Sequence, residues 1–268
     1  MEYALVDKQR RVAEPGISGE CPNCGARVIA KCGDIKIRHW AHYGKRDCDP
    51  WWENETEWHR RWKQRFPVEW QEVTQIANSG EMHRADVKTA LGWVFEFQHS
   101  FLNSKERQAR EAFYPKLIWI VDGIRRERDK YQFFKALENR KPISDKAPVW
   151  RIFFPDEIRL IQEWAGCRAP VFFDFGEESV LWWLYPKSAD GSVFVGRFAR
   201  AELIQTHRDG EAQTTHSFAE FVKDLPDLVS KYSALLKARW ERKVEANWRN
   251  QHVRQYQYTR SRRGLPRF

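Results

Sequence analysis

His83-Arg84-Ala85-Asp86-Val87 and Val94-Phe95-Glu96-Phe97-Gln98 are two short runs on either side of Leu91-Gly92-Trp93. Read as the arms of a β-hairpin, they place Asp86 near one strand end and Glu96 within the other, and period two puts Glu96 and Gln98 on one face. Two carboxylates facing each other across a sheet make a site for a hard divalent cation, which takes oxygen ligands.

Outward from this hairpin the pattern predicts the order helix, three strands, helix, strand. Residues 52–65 are charged and helix-compatible, with Asn54 as N-cap and Pro67 beyond the end. Glu55, His59 and Lys63 fall at i, i+4 and i+8 and share a face, beside an apolar stripe of Trp58, Trp62 and Phe66. Strands are expected at 68–73, 84–89 and 93–98. A helix follows at 104–114, capped by Ser104 and carrying Arg107 and Arg110, and then an apolar strand at 116–121 that stops at Asp122-Gly123.

The segment up to Arg46 reads as turns and short strands. Cys21-Pro22-Asn23-Cys24-Gly25 is a knuckle: two thiols three apart on a turn, with Gly25 letting the backbone fold back so that both sulfurs face one point. Tetrahedral zinc needs four nitrogen or sulfur ligands. Cys21 and Cys24 with His39 and His42 supply them, and Cys48 or Cys32 substitutes if one histidine does something else.

Residues 124–148 are polar and basic and read as a surface excursion. Strands at 149–154, 171–175, 180–185 and 192–197, punctuated by Gly and Pro, form a β-rich extension. From Ser217 the tail is helical and collects arginines, among them Arg239, Arg242, Arg249 and Arg254. The expected class is α/β (α+β), divided into a zinc-binding element at 1–50, a core at 51–148, the β-rich extension at 149–216 and a basic helical tail at 217–268.

Lys plus Arg number 46 against 37 Asp plus Glu, a formal charge of +9, and there are 14 Trp. The charge attracts a polyanion, and those tryptophans not needed in the core can stack on unpaired bases. No run approaches the ~18 apolar residues that span a bilayer. Asp7, Lys8, Arg10 and Arg11 stand where a signal peptide has its apolar stretch, so a soluble, cytoplasmic protein without a membrane partner is expected. Five cysteines, an odd number, point to reduced or metal-bound thiols rather than a disulfide framework.

The helix, three-strand meander, helix and strand, with acids on the first helix and on adjacent strands, resemble the core of the PD-(D/E)XK nuclease superfamily. More specifically, residues 18–123 resemble the CoiA-like competence protein family. The matching pieces are Cys21-Pro-Asn-Cys-Gly, His39-Trp-Ala-His42, Glu55-Thr-Glu-Trp-His59 with Lys63, Arg84-Ala-Asp86-Val, Glu96-Phe-Gln98-His-Ser100, Glu106-Arg107, and Tyr114 ahead of Leu-Ile-Trp-Ile-Val-Asp. The resemblance implies a zinc-binding N-terminal element, a nuclease-like domain and DNA, single- or double-stranded, as partner.

Carried over residue by residue, it gives Asp86 and Glu96 the role of holding Mg²⁺ or Mn²⁺. Glu55 becomes the helix carboxylate, with Glu57 as its alternative, and His59 a phosphate-positioning or proton-transfer group. Gln98 stands where the superfamily has a lysine and cannot supply its charge, but as a catalytic residue it would orient the water through its carbonyl and amide. Lys63, Arg107 or Arg110 are the substitutes, and Arg84, Arg107 and Arg110 the expected nucleic-acid contacts. Gln98 also motivates a second expectation: a zinc-containing nucleic-acid-binding module that keeps the fold but cleaves weakly or not at all, acting as a scaffold in a larger DNA-processing or phage-defence complex.

Overall fold

The computed structural model describes residues 1–44, 48–51, 55–143, 148–208 and 218–263, with side chains of the last helix up to His252. The Asn54 cap and the Ser217 helix start lie outside the described residues.

A small antiparallel sheet comes first: β1 (Tyr3–Val6), β2 (Gln9–Val12), β3 (Ser18–Glu20), β4 (Arg27–Lys31) and β5 (His39–His42), in the order β2-β1-β3-β4-β5. Its core is slight, formed by Met1, Ala4, Ala13, Cys21, Val28 and Trp40. The sheet docks through Arg10, which donates to the Val68 and Gln71 carbonyls at 3.0 and 2.8 Å.

The larger layer begins with helix α1 (Glu57–Lys63), whose N-terminus is closed by a capping box. The Thr56 side chain accepts from the His59 amide, and the His59 ring takes the Thr56 amide in return. Glu55 therefore precedes the helix instead of riding on it. A meander follows, β6 (Gln71–Ile76), β7 (Met82–Lys88) and β8 (Val94–Gln98), then α2 (Ser104–Phe113) and β9 (Leu117–Asp122). The expected order holds, with two local differences. Residues 68–70 turn as a 3₁₀ helix before β6, and Asn103, not Ser104, caps α2 by accepting the Glu106 amide at 2.9 Å. The turn between β7 and β8 needs Gly92, whose φ of 78° is open to glycine at little cost.

Residues 124–148, expected as a surface excursion, instead hold α3 (Glu127–Leu137). Its polar composition hides one deep anchor: Phe133 is fully buried against Phe173, Phe175 and Trp182. Beyond it come β10 (Val149–Ile152), α4 (Arg159–Trp164), β11 (Val171–Asp174), β12 (Val180–Leu184), β13 (Val193–Ala199), α5 (Arg200–Arg208) and α6 (Phe218–Arg263). The β-rich stretch continues the core sheet, giving eight strands in the order β10-β13-β12-β11-β9-β8-β7-β6. β9 sits centrally, parallel to both β8 and β11. All six of its residues are buried, so it reads as a near-continuous apolar run rather than an alternating one.

Alternation along the strands sorts the core into two layers. Trp119, Val121, Phe173 and Trp182 face α3 and α4, while Ile118, Ile120, Phe172 and Trp183 face α1, α5 and the start of α6. The result is a three-layer α/β/α arrangement. Among the described residues no helix is long and apolar enough to cross a membrane.

Candidate functional site

The ladder between β7 and β8 runs through Lys88↔Val94 and Val87↔Phe95 and then stops. At the next step the two carboxylates take over from the backbone. Asp86 Oδ2 accepts the Phe97 amide at 2.9 Å, and Glu96 Oε1 lies 3.4 Å from the Asp86 amide. A sheet that opens this way exposes polar groups needing partners, and side-chain oxygens supply them. The opening is a cavity of about 40 Å³, room for roughly two or three waters. Asp86, Glu96, Glu55, His59, Lys63, Arg84, Glu72 and Arg110 are among the residues lining it.

Burial, and then the neighbouring Asp86 charge, push the Glu96 carboxyl up to about 8, with Arg110 opposing them. Arg110 Nη1 lies 2.8 Å from Glu96 Oε2, and its Nη2 reaches Glu106 at 2.6 Å. Buried Glu96, beside half-buried Asp86, therefore holds its proton below about 8 in spite of the Arg110 guanidinium.

Lys63 lies at the back of the cavity, 2 % exposed. It is ion-paired with Glu72 at 3.0 Å, with Glu2 at 3.3 Å and with Glu55. Burial works against its charge, but Glu72, Glu55, Asp86 and Glu2 outweigh it and raise its pKa. Glu72 is held in turn. It sits at a φ of 48° and accepts the Glu2 and Tyr3 amides at 2.9 and 3.2 Å; burial opposes its ionisation, but Lys63 and Arg84 keep it well below the usual carboxylate range. Removing the ammonium leaves these carboxylates uncompensated, so Lys63→Met is expected to cost about 3–5 kcal/mol of stability. Urea unfolding followed by circular dichroism checks this, and an unchanged midpoint would mean that Lys63 is dispensable to the cluster.

The expected site residues divide as follows. Glu55, His59, Lys63, Arg84, Asp86, Glu96 and Arg110 meet around one cavity. Arg107 does not join them: its guanidinium donates to the Glu163 carbonyl and lies over the Trp164 ring, buried against α4. Arg110 is likewise buried, and acts as an ion partner of Glu96 rather than as an outward phosphate contact. Gln98 turns its amide to Ser100, donating to the carbonyl at 3.2 Å. His59 Nδ1 is engaged by the α1 cap, 2.8 Å from Thr56 Oγ1.

Glu72 and Asp49 were not anticipated. Glu72 lies opposite Asp86 in the β6–β7 register, as Gln71↔Val87 and Val73↔Ala85 show. Pairing the two predicted strands by register, rather than reading each alone, would have found it. Asp49 carries no local signal. It accepts the Arg84 amide at 2.9 Å and meets His83 Nδ1 at 2.9 Å, gripping β7 two residues before Asp86.

A second cluster lies next to this grip in sequence. Cys21, Cys24, His42 and Cys48 offer donor atoms all within 4.8 Å of one another. The Cys21 and Cys48 sulfurs are 3.8 Å apart, the edge that ~2.3 Å zinc–sulfur bonds give a tetrahedron, and Cys24 Sγ lies 3.4 Å from His42 Nε2. Three thiols and an imidazole are a donor set that suits zinc. The turn forms as expected, with Gly25 at φ 69° and its amide on the Cys21 carbonyl at 2.8 Å. Burial, offset by an Asn23 hydrogen bond and supported by the Cys21 sulfur, pushes the Cys48 thiol up to about 12, so a metal must displace a proton there.

His39 is a correction. Three residues from His42 on one strand, it has the opposite parity and faces away, its Nδ1 2.8 Å from the Ile37 carbonyl. Cys48 takes the fourth position, and among the described residues Cys32 is not part of the cluster.

The family model for the competence protein CoiA N-terminal domain matches residues 19–50. That span contains all four members of the Cys/His cluster and ends at Pro50, one residue past Asp49. No curated protein and no solved structure matches the chain. The cavity at Asp86 and Glu96 lies outside the matched span except for Asp49, and its reading stands on its own geometry.

Proposed function

We propose that this chain is a divalent-metal-dependent nuclease of the PD-(D/E)XK type, hydrolysing DNA phosphodiesters in uptake, recombination or defence. The observation that carries the reading is the opening of the β7–β8 ladder at Asp86 and Glu96, whose carboxylates converge on a cavity shared with Glu55 and Lys63. The similarity of residues 19–50 to a competence-protein domain supports a role in handling DNA.

The donor set fits the ion. Asp86 and Glu96 are hard oxygen ligands lining a small polar cavity, which suits Mg²⁺ or Mn²⁺. Bound there, such an ion supplies an acidified water and neutralises charge growing on a phosphodiester. The chain's own groups do the rest. Lys63 contributes the fixed positive charge that Gln98 lacks, held in place by Glu55 and Glu72. Arg84 adds a second cation at the cavity wall. With Nδ1 of His59 committed to the helix cap, proton exchange with a water falls to Nε2.

The proton on Glu96 gives a pH dependence. Below about 8 a cation must expel the proton held by Glu96, so Mn²⁺ affinity is expected to climb with pH and flatten above that value. Calorimetric titration with Mn²⁺ in two buffers of different ionisation enthalpy reads the released proton directly. Identical heats in both would remove the pair as the binding site.

The reading as a whole is tested by incubating the purified chain with labelled single- and double-stranded DNA in Mg²⁺ or Mn²⁺, with chelator as control. Cutting that stops on chelation supports it. Two features favour a second reading, a zinc-containing DNA-binding scaffold without catalysis: Arg110 already occupies Glu96 Oε2 at 2.8 Å, and Gln98 is bonded to Ser100. Binding without cutting under all of these conditions is its signature.

A further inference from the structure

The far half of α6 leaves the globular body. Val222, Leu225, Val229 and Leu236 pack this helix onto the sheet. Continuing in steps of four, the same stripe runs on through Trp240, Val244 and Trp248, which are 65, 45 and 58 % exposed. From Arg239 to His252 every side chain is exposed. At ~1.5 Å per residue the 46 residues of α6 reach about 70 Å, so the outer half projects well beyond the layer it anchors to.

Its charge is one-sided. Between Lys237 and Arg263 the sequence has nine Lys or Arg against Glu241 and Glu245. A second copy of the chain is a poor occupant, since two such rods repel. From Leu236 outward the stripe also advances only by fours, turning about 40° round the helix at each step, whereas a helix–helix seam alternates threes and fours. A lipid surface asks for a broad apolar face with basic residues at its borders. Here the apolar row is one residue wide, Lys237 interrupts it, and Arg239, Arg242 and Arg249 lie on the opposite side of the helix. A flexible polyanion with exposed π-faces meets both features at once: phosphates on the cations, bases on the indoles.

We propose that the projecting half of α6 is a docking arm for single-stranded DNA, with Trp240 and Trp248 stacking unpaired bases and the arm's Lys and Arg side chains holding phosphates. The proposal rests on DNA being the partner, as above, and not on whether the chain cuts it.

The test is fluorescence anisotropy of a labelled oligothymidylate with the full chain in magnesium-free buffer over a salt series. The double substitution W240A/W248A is expected to weaken binding at least about tenfold, and W240F/W248F to restore most of it. Neutralising Lys237, Arg239, Arg242 and Lys243 to Gln is expected to lower the slope of log affinity against log salt by about 0.7 per charge. Because both tryptophans are exposed, the variants should melt like the parent chain. Unchanged affinity in W240A/W248A overturns the proposal. So does loss of dimerisation, or of binding to phosphatidylglycerol vesicles, in place of loss of DNA binding. A chain that binds through the arm yet never cuts leaves the arm standing and sinks the nuclease reading; a chain that cuts while W240A/W248A binds normally does the reverse.

Discussion

Asp86→Ala is expected to lower divalent-cation-dependent cleavage by at least on the order of 10²–10³-fold while leaving zinc content unchanged. The loss has two sources at this position. One is the oxygen ligand itself. The other is the latch between strands, since Asp86 Oδ2 also accepts the Phe97 amide at the point where the β7–β8 ladder ends. Asp86→Asn separates them, because its amide oxygen can still accept that bond while a ligand charge is lost. Both variants inactive with an unchanged melting temperature locates the effect in cation binding. If Asn is active and Ala is not, the residue is a strand latch, and the catalytic reading of Asp86 is wrong. Cleavage of labelled DNA in Mn²⁺, paired with metal analysis of the same preparations, decides among these.

Cys21→Ser is expected to strip zinc from the purified chain and unfold the N-terminal sheet. That sheet has little core of its own: among the described residues, six buried side chains form it, and Cys21 is one of them. Small structural zinc elements draw about 10–16 kcal/mol of apparent binding free energy from the metal, so losing a thiolate removes most of what holds the fold. The effect should also spread. Cys48 is followed directly by Asp49, which grips the Arg84 amide and His83 on β7, and Glu2 and Tyr3 hold Glu72 beside Lys63. Cleavage is therefore expected to fall along with zinc content. Full zinc occupancy in Cys21→Ser would sink the assignment; loss of zinc with cleavage intact would show that the two centres are independent.

Much of this was legible in the residues. The β7–β8 hairpin, the order of helix, three strands, helix and strand, the buried run of β9 and the knuckle at Cys21 and Cys24 are all written in local spacing, since period, turn chemistry and cap residues act over a few neighbours. Other features depend on chain segments that meet only after folding. His39 loses its place to Cys48 because strand parity turns it away from His42, while the fold brings a cysteine 27 residues from Cys21 to 3.8 Å. Phe133 makes a helix of a stretch that looks polar because its partners lie on β11 and β12.

The same division runs through the candidate site. The acidic types at Asp86 and Glu96 stand out in sequence, because carboxylates on apolar strands are conspicuous. Their environment does not. Glu72 opposite Asp86, Arg110 against Glu96, Glu2 on Lys63 and Asp49 on β7 are contacts across elements, and charge in a buried site is governed by whatever lies within a few ångströms regardless of sequence distance. Local patterning thus specifies which elements form and which reactive groups they carry, while burial and long-range ion pairing determine the protonation, orientation and partners of those groups.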